Sequence, residues 1–535
     1  MIKRDARSSS HPHRAAVPGT APAVRHPASS RFVPNSGLVE EPARAVPAKD
    51  AVSEAARRSP DKLALISGET VVGWAELDTR VSTAARWVAS RTAPGDRIAI
   101  LLGNTVEFAV AYFGILRAGR VAVPLNPGYT TDELEYAITD SGASLIVGES
   151  GDRAVRVPMK VDGPEVALPD VRAGDLAVLL YTSGTSGRPK GAMLTHAALA
   201  ANHDQLDRIE PPVVGPDDVV LLAVPFFHAY GLNTGLGTVA HHAATGVLVE
   251  RFDPADSLEL IAAHRVTVTV GVPGMYLAWT RAPEAGDALR GLRTAVCGAA
   301  PLDARIAARF RALTGKSILI GYGLTESAPV LTTTAVSHRD KSGSIGRPLP
   351  GVELLLRTSA SLELWRDGTA SVEEDLAELD LAVAVSAGTD PGEIVVRGPN
   401  LFSGYWPDGS GGPDPDGWWP TGDIAYADAD GDLVLVDRIG ELILVNGFNV
   451  YPAEIERVLD AHPQVAAAAV VGVPDPEAGQ RPYAYVVPIG DPPPSVTELQ
   501  VYCAARLARF KLPGIELVAE LPRSPIGKIR KRELS

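Results

Sequence analysis

Two cysteines in 535 residues, Cys297 and Cys503, are too few and too far apart for a disulfide framework or a cysteine-ligated metal centre. Two ordinary thiols fit a reducing compartment. The chain also lacks any run of 18 apolar residues, which sets aside a membrane-spanning helix. Basic charge is in the minority. Fifty Lys and Arg stand against 64 Asp and Glu, a net charge of −14, whereas a nucleic-acid binder needs a basic field. What is present is apolar mass, 45% of the residues, in a chain long enough for three or four units at ~150 residues each. A soluble cytoplasmic protein is expected, with no transmembrane segment and no nucleic-acid partner.

Residues 1–45 are rich in Arg, His, Pro, Ser and Ala and poor in large apolar side chains. Pro12, Pro18, Pro22, Pro27 and Pro34 would break any amphipathic helix, so a disordered tail is expected there rather than a transit peptide. From Ala51 onward apolar strands alternate with helical patterns, the mark of a wound α/β unit.

The sharpest signal is LLYTSGTSGRPKGAMLT, Leu179 to Thr195. An apolar strand breaks into Thr182, Ser183, Gly184, Thr185, Ser186 and Gly187, followed by Pro189, Lys190 and Gly191. Glycines let backbone N–H groups approach a ligand, and hydroxyls with one ammonium suit a polyphosphate. Thr195 is then placed to cap a helix over HAALAANHDQL. The loop is not a Walker A, because Pro189 precedes Lys190 and no Ser or Thr follows it.

Further along, PFFHAYG puts His228 among aromatics at a strand end. LRTAVCGAAPL ends a strand in Gly298, Ala299 and Ala300. SILIGYGLTES sets Tyr322 between Gly321 and Gly323, ahead of Thr325 and Glu326. A ring between glycines can stack on a purine, a Thr hydroxyl can contact phosphate, and a carboxylate can hold Mg²⁺ beside a triphosphate. In Thr421-Gly422-Asp423 a carboxylate is expected to emerge from a tight turn, as an acceptor for a ribose diol. Between these, Thr358 to Pro391, with acidic Glu373, Glu374, Asp375 and Glu378, is expected to be a solvated surface loop. The last hundred residues read as a separate α+β unit that closes with PRSPIGKIRKREL.

Together these segments resemble, in order and over Ala51 to Leu534, the signatures of the adenylate-forming superfamily, with the closest likeness to fatty-acyl-CoA ligases. The resemblance implies an α/β fold. A large N-terminal domain (46–436) would consist of two wound α/β subdomains and a β-barrel-like subdomain. A small mobile α+β lid (437–535) would close over it. It implies an enzyme that activates a carboxylic acid with ATP and Mg²⁺ and then transfers the acyl group to coenzyme A. By the same resemblance Lys528 bridges carboxylate and phosphate, and His228 sits over the substrate carboxylate. Thr182, Ser183, Gly184, Thr185, Ser186, Gly187, Lys190 and Thr325 hold phosphates, and Glu326 is the metal ligand. Gly298, Ala299 and Ala300 floor the acyl pocket; Gly321, Tyr322 and Gly323 receive adenine; Asp423 takes ribose. Arg438 contacts the nucleotide, and Gly447 lies in the segment of the lid that carries the likeness to fatty-acyl-CoA ligases. The chain departs from the pattern at Gly440 and Leu444, where lysines are usual.

A fatty acid is the first expectation for the substrate and an aryl acid the second. A carrier-protein phosphopantetheine is the alternative acceptor, a luciferase-like oxidation a remoter one, and a non-catalytic nucleotide- or acyl-binding protein the reading of a different class. Since 1–44 show no periodicity or apolar mass, their deletion should change stability by less than about 1 kcal/mol in chemical denaturation and leave pyrophosphate release unaltered.

Overall fold

The computed structural model of the chain describes residues 48–148, 154–157, 166–182, 189–338, 341, 343–357, 362–366, 369–372, 389–438, 441, 443–445, 448–475, 479–524 and 527–534. The expected tail and the acidic run at 373–378 lie outside them. Residues 42–535 form one compact unit.

Strands Thr294–Cys297, Val268–Gly271, Thr245–Leu248 and Val121–Pro124 are buried at every position. Such continuously apolar strands suit parallel sheets covered by helices on both faces, and two wound sheets result. The first has five strands in the order Leu145–Gly148, Arg97–Leu101, Val121–Pro124, Leu176–Thr182, Lys190–Thr195. Its first four strands are parallel and its last is antiparallel. The second has nine strands. Its parallel middle runs Ile318–Gly323, Thr294–Cys297, Val268–Gly271, Val219–Leu222, Thr245–Leu248, Leu63–Ser67. The strand LALIS (Leu63–Ser67), which sequence order would assign to the first sheet, crosses into the second and pairs with Thr245–Leu248.

A six-stranded antiparallel sheet follows, ending in Gly392–Arg397, Trp419–Ala427 and Leu433–Arg438. The stretch expected as a surface loop from Thr358 contributes two of its strands, Leu362–Arg366 and Thr369–Val372. Alternation in LELWR is the sequence signal of that hairpin, masked there by the acidic run beyond it. Among the described residues the smaller C-terminal domain has its own five-stranded sheet and two α-helices, Pro452–Asp460 and Val496–Ala504. Ile443, Val450, Ile455, Leu459, Val486 and Leu499 form a core separate from those of the large domain.

Helix starts follow side-chain caps. Thr105 accepts from the N–H of Phe108, and Thr195 accepts from that of Ala198, as its position predicts. One guanidinium joins three helices of the large domain. Arg117, 10% exposed, binds Asp50 Oδ2 at 2.7 Å and Asp78 Oδ1 at 2.6 Å and also donates to Ser53 and Ser82. Arg117→Ala would leave the two carboxylates facing each other. A loss of roughly 2–4 kcal/mol is expected in urea denaturation, discounted for the partial exposure of the acids.

Candidate active site

Parallel strands of a wound sheet deliver their following loops to one edge, and ligands bind there. Here the loops after Val219–Leu222, Thr294–Cys297 and Ile318–Gly323 of the second sheet, and the end of Leu176–Thr182 in the first, meet the closing segment of the C-terminal domain around one cavity of about 1280 Å³. Thr182, Lys190, His228, Gly298, Thr325 and Lys528 all line it, although they come from distant parts of the chain.

The stem of the expected phosphate loop is a hairpin. Thr182 pairs with Lys190, and Lys190–Thr195 is a strand that the sequence reading passed over. Tyr136 donates to the Pro189 carbonyl at 2.9 Å, and Trp406 N–H donates to the Gly191 carbonyl. Lys190 Nζ stands 5.1 Å from the ring centre of Tyr405. Ser183, Gly184, Thr185, Ser186 and Gly187 lie outside the described residues, as does Gly447.

After Ile318–Gly323 the chain turns through a short 3₁₀ segment, Thr325–Ser327. Ser327 Oγ accepts from the Leu324 N–H, and Asn400 Nδ2 donates to the Ser327 carbonyl at 2.7 Å. The turn is tight enough to require glycine at 323, where a Cβ would come 1.8 Å from the Pro329 carbonyl oxygen. At Gly321, by contrast, nothing lies within 4 Å of a Cβ, so that glycine leaves room rather than relieving a clash. Glu326 is 7% exposed yet lines the cavity, and its Oε1 accepts from the Tyr405 hydroxyl at 2.7 Å. Thr325 and Glu326 thus present a hydroxyl and a hard carboxylate side by side.

Thr421-Gly422-Asp423 does not form the expected turn. It lies within strand Trp419–Ala427, next to a register irregularity and with Gly422 at φ +75°. A bulge re-aims a side chain as a turn does, which explains why the sequence signal looked the same. Asp423 is 2% exposed, its Oδ2 accepts from the Tyr322 hydroxyl at 2.7 Å, and its backbone pairs with Arg438. The cavity wall carries Tyr322 and Thr421 at this point, with Asp423 behind them. Only the backbone of Arg438 is described.

His228 follows Pro225-Phe226-Phe227, its ring centre 5.1 Å from that of Phe227. Burial lowers its pKa to about 4, so the ring is neutral at physiological pH and acts as a hydrogen-bonding group, not a cation. The helical run that starts beyond it is a π-helix, Tyr230–Gly237, continued by the α-helix Thr238–His242. The Tyr230 ring abuts Gly298, where a Cβ would lie 3.0 Å from it. Gly298 and Ala299 line the cavity, Ala300 does not, and Ala299 adopts φ +68°.

Lys528 sits on a small exposed hairpin held by Ser524 N–H to the Lys528 carbonyl at 2.7 Å, with Gly527 at φ +80° in its turn. Beside it Lys531 is fixed by Glu441 at 2.7 Å and Glu456 at 2.9 Å. Sequence reasoning missed Tyr405, which holds Glu326, because a lone Tyr in a loop carries no pattern. It also gave Tyr230, Thr234, Thr238 and His242 no role, though their even spacing was readable. Cys297 and Cys503 are buried and unbridged, and burial pushes the Cys503 thiol up to about 11 and that of Cys297 higher still.

The model of the AMP-binding enzyme family matches residues 52–406, and that of the AMP-binding enzyme C-terminal domain matches residues 454–528. A feruloyl-CoA synthase of Amycolatopsis is 36% identical over 500 residues, covering 90% of this chain and 96% of that protein. A long-chain-fatty-acid–CoA ligase of Bacillus subtilis is 30% identical over 541 residues, covering 90% of this chain and 93% of its own length. Among solved structures, ATP-bound MatB from Rhodopseudomonas palustris superposes with TM-score 0.79 at 31% identity, over 91% of this chain and 98% of that one. The o-succinylbenzoate-CoA synthetase MenE of B. subtilis, bound to its acyl-adenylate, gives TM-score 0.76 at 29% identity, with the same coverage.

Fold and relatives together define the class, an adenylate-forming enzyme. The chain belongs to the AMP-binding enzyme family and is an AMP-forming acyl-CoA ligase.

The neutral His228 gives a direct check. In the ligand-free enzyme its ring proton resonance should stay constant from pH 8 to 5.5 and titrate only near about 4. An NMR midpoint above 6 would contradict the burial described here.

Proposed function

We propose that this cleft activates an apolar-bodied carboxylic acid as its acyl-adenylate and passes the acyl group to coenzyme A, with Lys528 serving the first step alone. The observation behind this reading is the single cavity that gathers Lys190, Thr325 and Glu326 of the large domain with Lys528 of the C-terminal domain. The first step brings a carboxylate to the α-phosphate of ATP, so its barrier is electrostatic and positional, and preorganised cations and donors lower it.

In this reading Lys528 Nζ holds the carboxylate against the α-phosphate. Thr182, Lys190 and Thr325 hold phosphate oxygens, and the neutral His228 ring hydrogen-bonds where carboxylate and phosphate meet. Tyr322, fixed through its hydroxyl by Asp423, offers its face to adenine, and Asp423, behind the cavity wall in this structure, reaches the ribose once that contact opens. Gly298 and Ala299 leave room for the acyl group. The Glu326 carboxylate, with one oxygen engaged by Tyr405, fits an Mg²⁺ ion, which takes one or two carboxylates and completes its shell with phosphate and water. When bound, that ion would neutralise triphosphate charge. Residues 437–535 act as a lid that turns after strand Leu433–Arg438, so that another face meets the thiol in the second step. ATP and coenzyme A as co-substrates, and two buried thiols, support a cytoplasmic location.

The names of the relatives offer two acid classes, long-chain fatty acids and feruloyl-type aryl acids. Val213, Val214, Val224, Val270 and Val296 line the cavity and suit the body of either.

Two half-reactions test the lysine. Lys528→Ala should slow acid-dependent pyrophosphate release by roughly 10²–10³, the order for losing one preorganised donor. Consumption of supplied acyl-adenylate with coenzyme A should stay close to wild type. Equal impairment of both would make Lys528 structural and remove the alternating lid.

A further inference from the structure

The helical run Tyr230–His242 places four side chains on the cavity wall at a constant spacing of four residues: Tyr230, Thr234, Thr238 and His242. Residues four apart share one face of a helix. At ~1.5 Å per residue, less where the helix is wider, the stripe is about 15–18 Å long. It starts next to His228 and Gly298, where the acid would react. Thr234, Thr238 and His242 are polar, in a cavity that valines also line.

Their hydrogen bonds fix what they offer. The Thr238 hydroxyl donates to the Asn233 carbonyl at 3.2 Å, so toward a ligand it can only accept. His242 Nε2 lies 3.2 Å from Asp207 Oδ1, whose other oxygen is 2.8 Å from His241 Nε2. A carboxylate neighbour keeps the proton on Nε2 and leaves His242 Nδ1 an acceptor. The Thr234 hydroxyl is buried, with no hydrogen-bond partner among the described residues, and is not part of what the stripe offers a ligand. A distal carboxylate would be repelled by Asp207, and a plain alkyl chain would satisfy none of these groups. A ligand hydroxyl can donate to the acceptors.

Resting on the ligase reading above, we propose that the stripe ending in His242 and Asp207 is a distal subsite that recognises a hydroxyl remote from the carboxyl of the acid. Thr238 and His242 are its acceptors, and Asp207 positions the His242 ring. The substrate class is therefore an acid with an apolar body and a far hydroxyl, either a phenolic acid with a short linker or a medium-chain ω-hydroxy acid.

The experiment compares matched pairs: para-hydroxycinnamate with cinnamate, and ω-hydroxydecanoate with decanoate. For each, kcat/KM is measured by pyrophosphate release, and binding without ATP by calorimetry. Wild type should favour the hydroxylated member of at least one pair by roughly 10–10³-fold, since a site built to hydrogen-bond a substrate group rejects the analogue lacking it. The pair that shows it identifies the phenolic or the alkyl source. His242→Leu should erase the preference while activity on the plain acid persists, which shows that the variant is folded. His242→Gln should restore part of it, and Thr238→Val should reduce it independently.

Equal use of both members of both pairs by wild type, or a preference unchanged in His242→Leu, overturns the subsite. A binding preference without pyrophosphate release would uphold the subsite and sink the ligase roles. Turnover of other acids with neither binding nor use of these four would sink the subsite alone.

Discussion

The constraint on which this structure depends is directional. Parallel strands that are each followed by a helix must all end on the same edge of their sheet. The second sheet therefore supplies one cleft with the turn before His228, the small residues after Cys297 and the Thr325–Glu326 turn, and the Thr182–Lys190 hairpin stem of the first sheet joins them. The cost is that several backbone groups end there without ladder partners. Buried side chains replace those partners. Asn104 accepts from the Phe226 N–H and donates to the Val224 carbonyl, and adds a second donor to the Leu222 carbonyl that the Val249 N–H already reaches. Asn202 accepts from the Val330 N–H, and Asn400 holds the Ser327 carbonyl. These amides set the positions from which His228 and Glu326 reach the cavity, and their own burial makes them expensive to lose.

The site is supported from behind in the same way. Tyr405 orients Glu326, and Asp423 orients Tyr322, each through a hydroxyl-to-carboxylate contact of 2.7 Å. Charge-assisted bonds of this length are stronger than neutral ones and fix a rotamer as well as a distance. A carboxylate with one oxygen engaged still has acceptor capacity on the other. Tyr405 and Asp423 both belong to the β-rich part of the chain, which also puts Trp419 and Thr421 of its sheet on the cavity wall.

How legible this was in the sequence depended on the range of the interaction. Local chemistry was readable: Thr195 as a cap, the buried strands, the separate C-terminal core. Anything set by pairing partners was not. Strand Leu63–Ser67 looks the same whether it joins the first or the second sheet, and the Asp423 bulge mimics a turn. The family resemblance brought Lys528 to the same site as Thr325, which spacing alone could not do. Tyr405 escaped because its partner is 79 positions away and no periodicity marks a single contact.

The π-helix explains why the Tyr230–His242 stripe stays on one wall. In an α-helix four residues turn about 400°, so a spacing of four drifts about 40° at each step. Over three steps an α-helix would carry His242 well round from Tyr230. A π-helix bonds i to i+5 and turns less per residue, so its drift at this spacing has the opposite sign. With Tyr230 to Thr238 on the π segment and Thr238 to His242 on the α segment, the two drifts oppose. Asn233 stabilises the wider coil: its carbonyl receives the Thr238 N–H and hydroxyl and faces His203 Nε2 at 3.0 Å. Its amide donates to Leu199 and, at 2.7 Å, to Ala328, just past the Thr325–Ser327 turn. One buried asparagine thus ties the acyl wall to the turn that carries Thr325 and Glu326. Shape at the far end of the cavity and geometry at the reacting end are mechanically one feature.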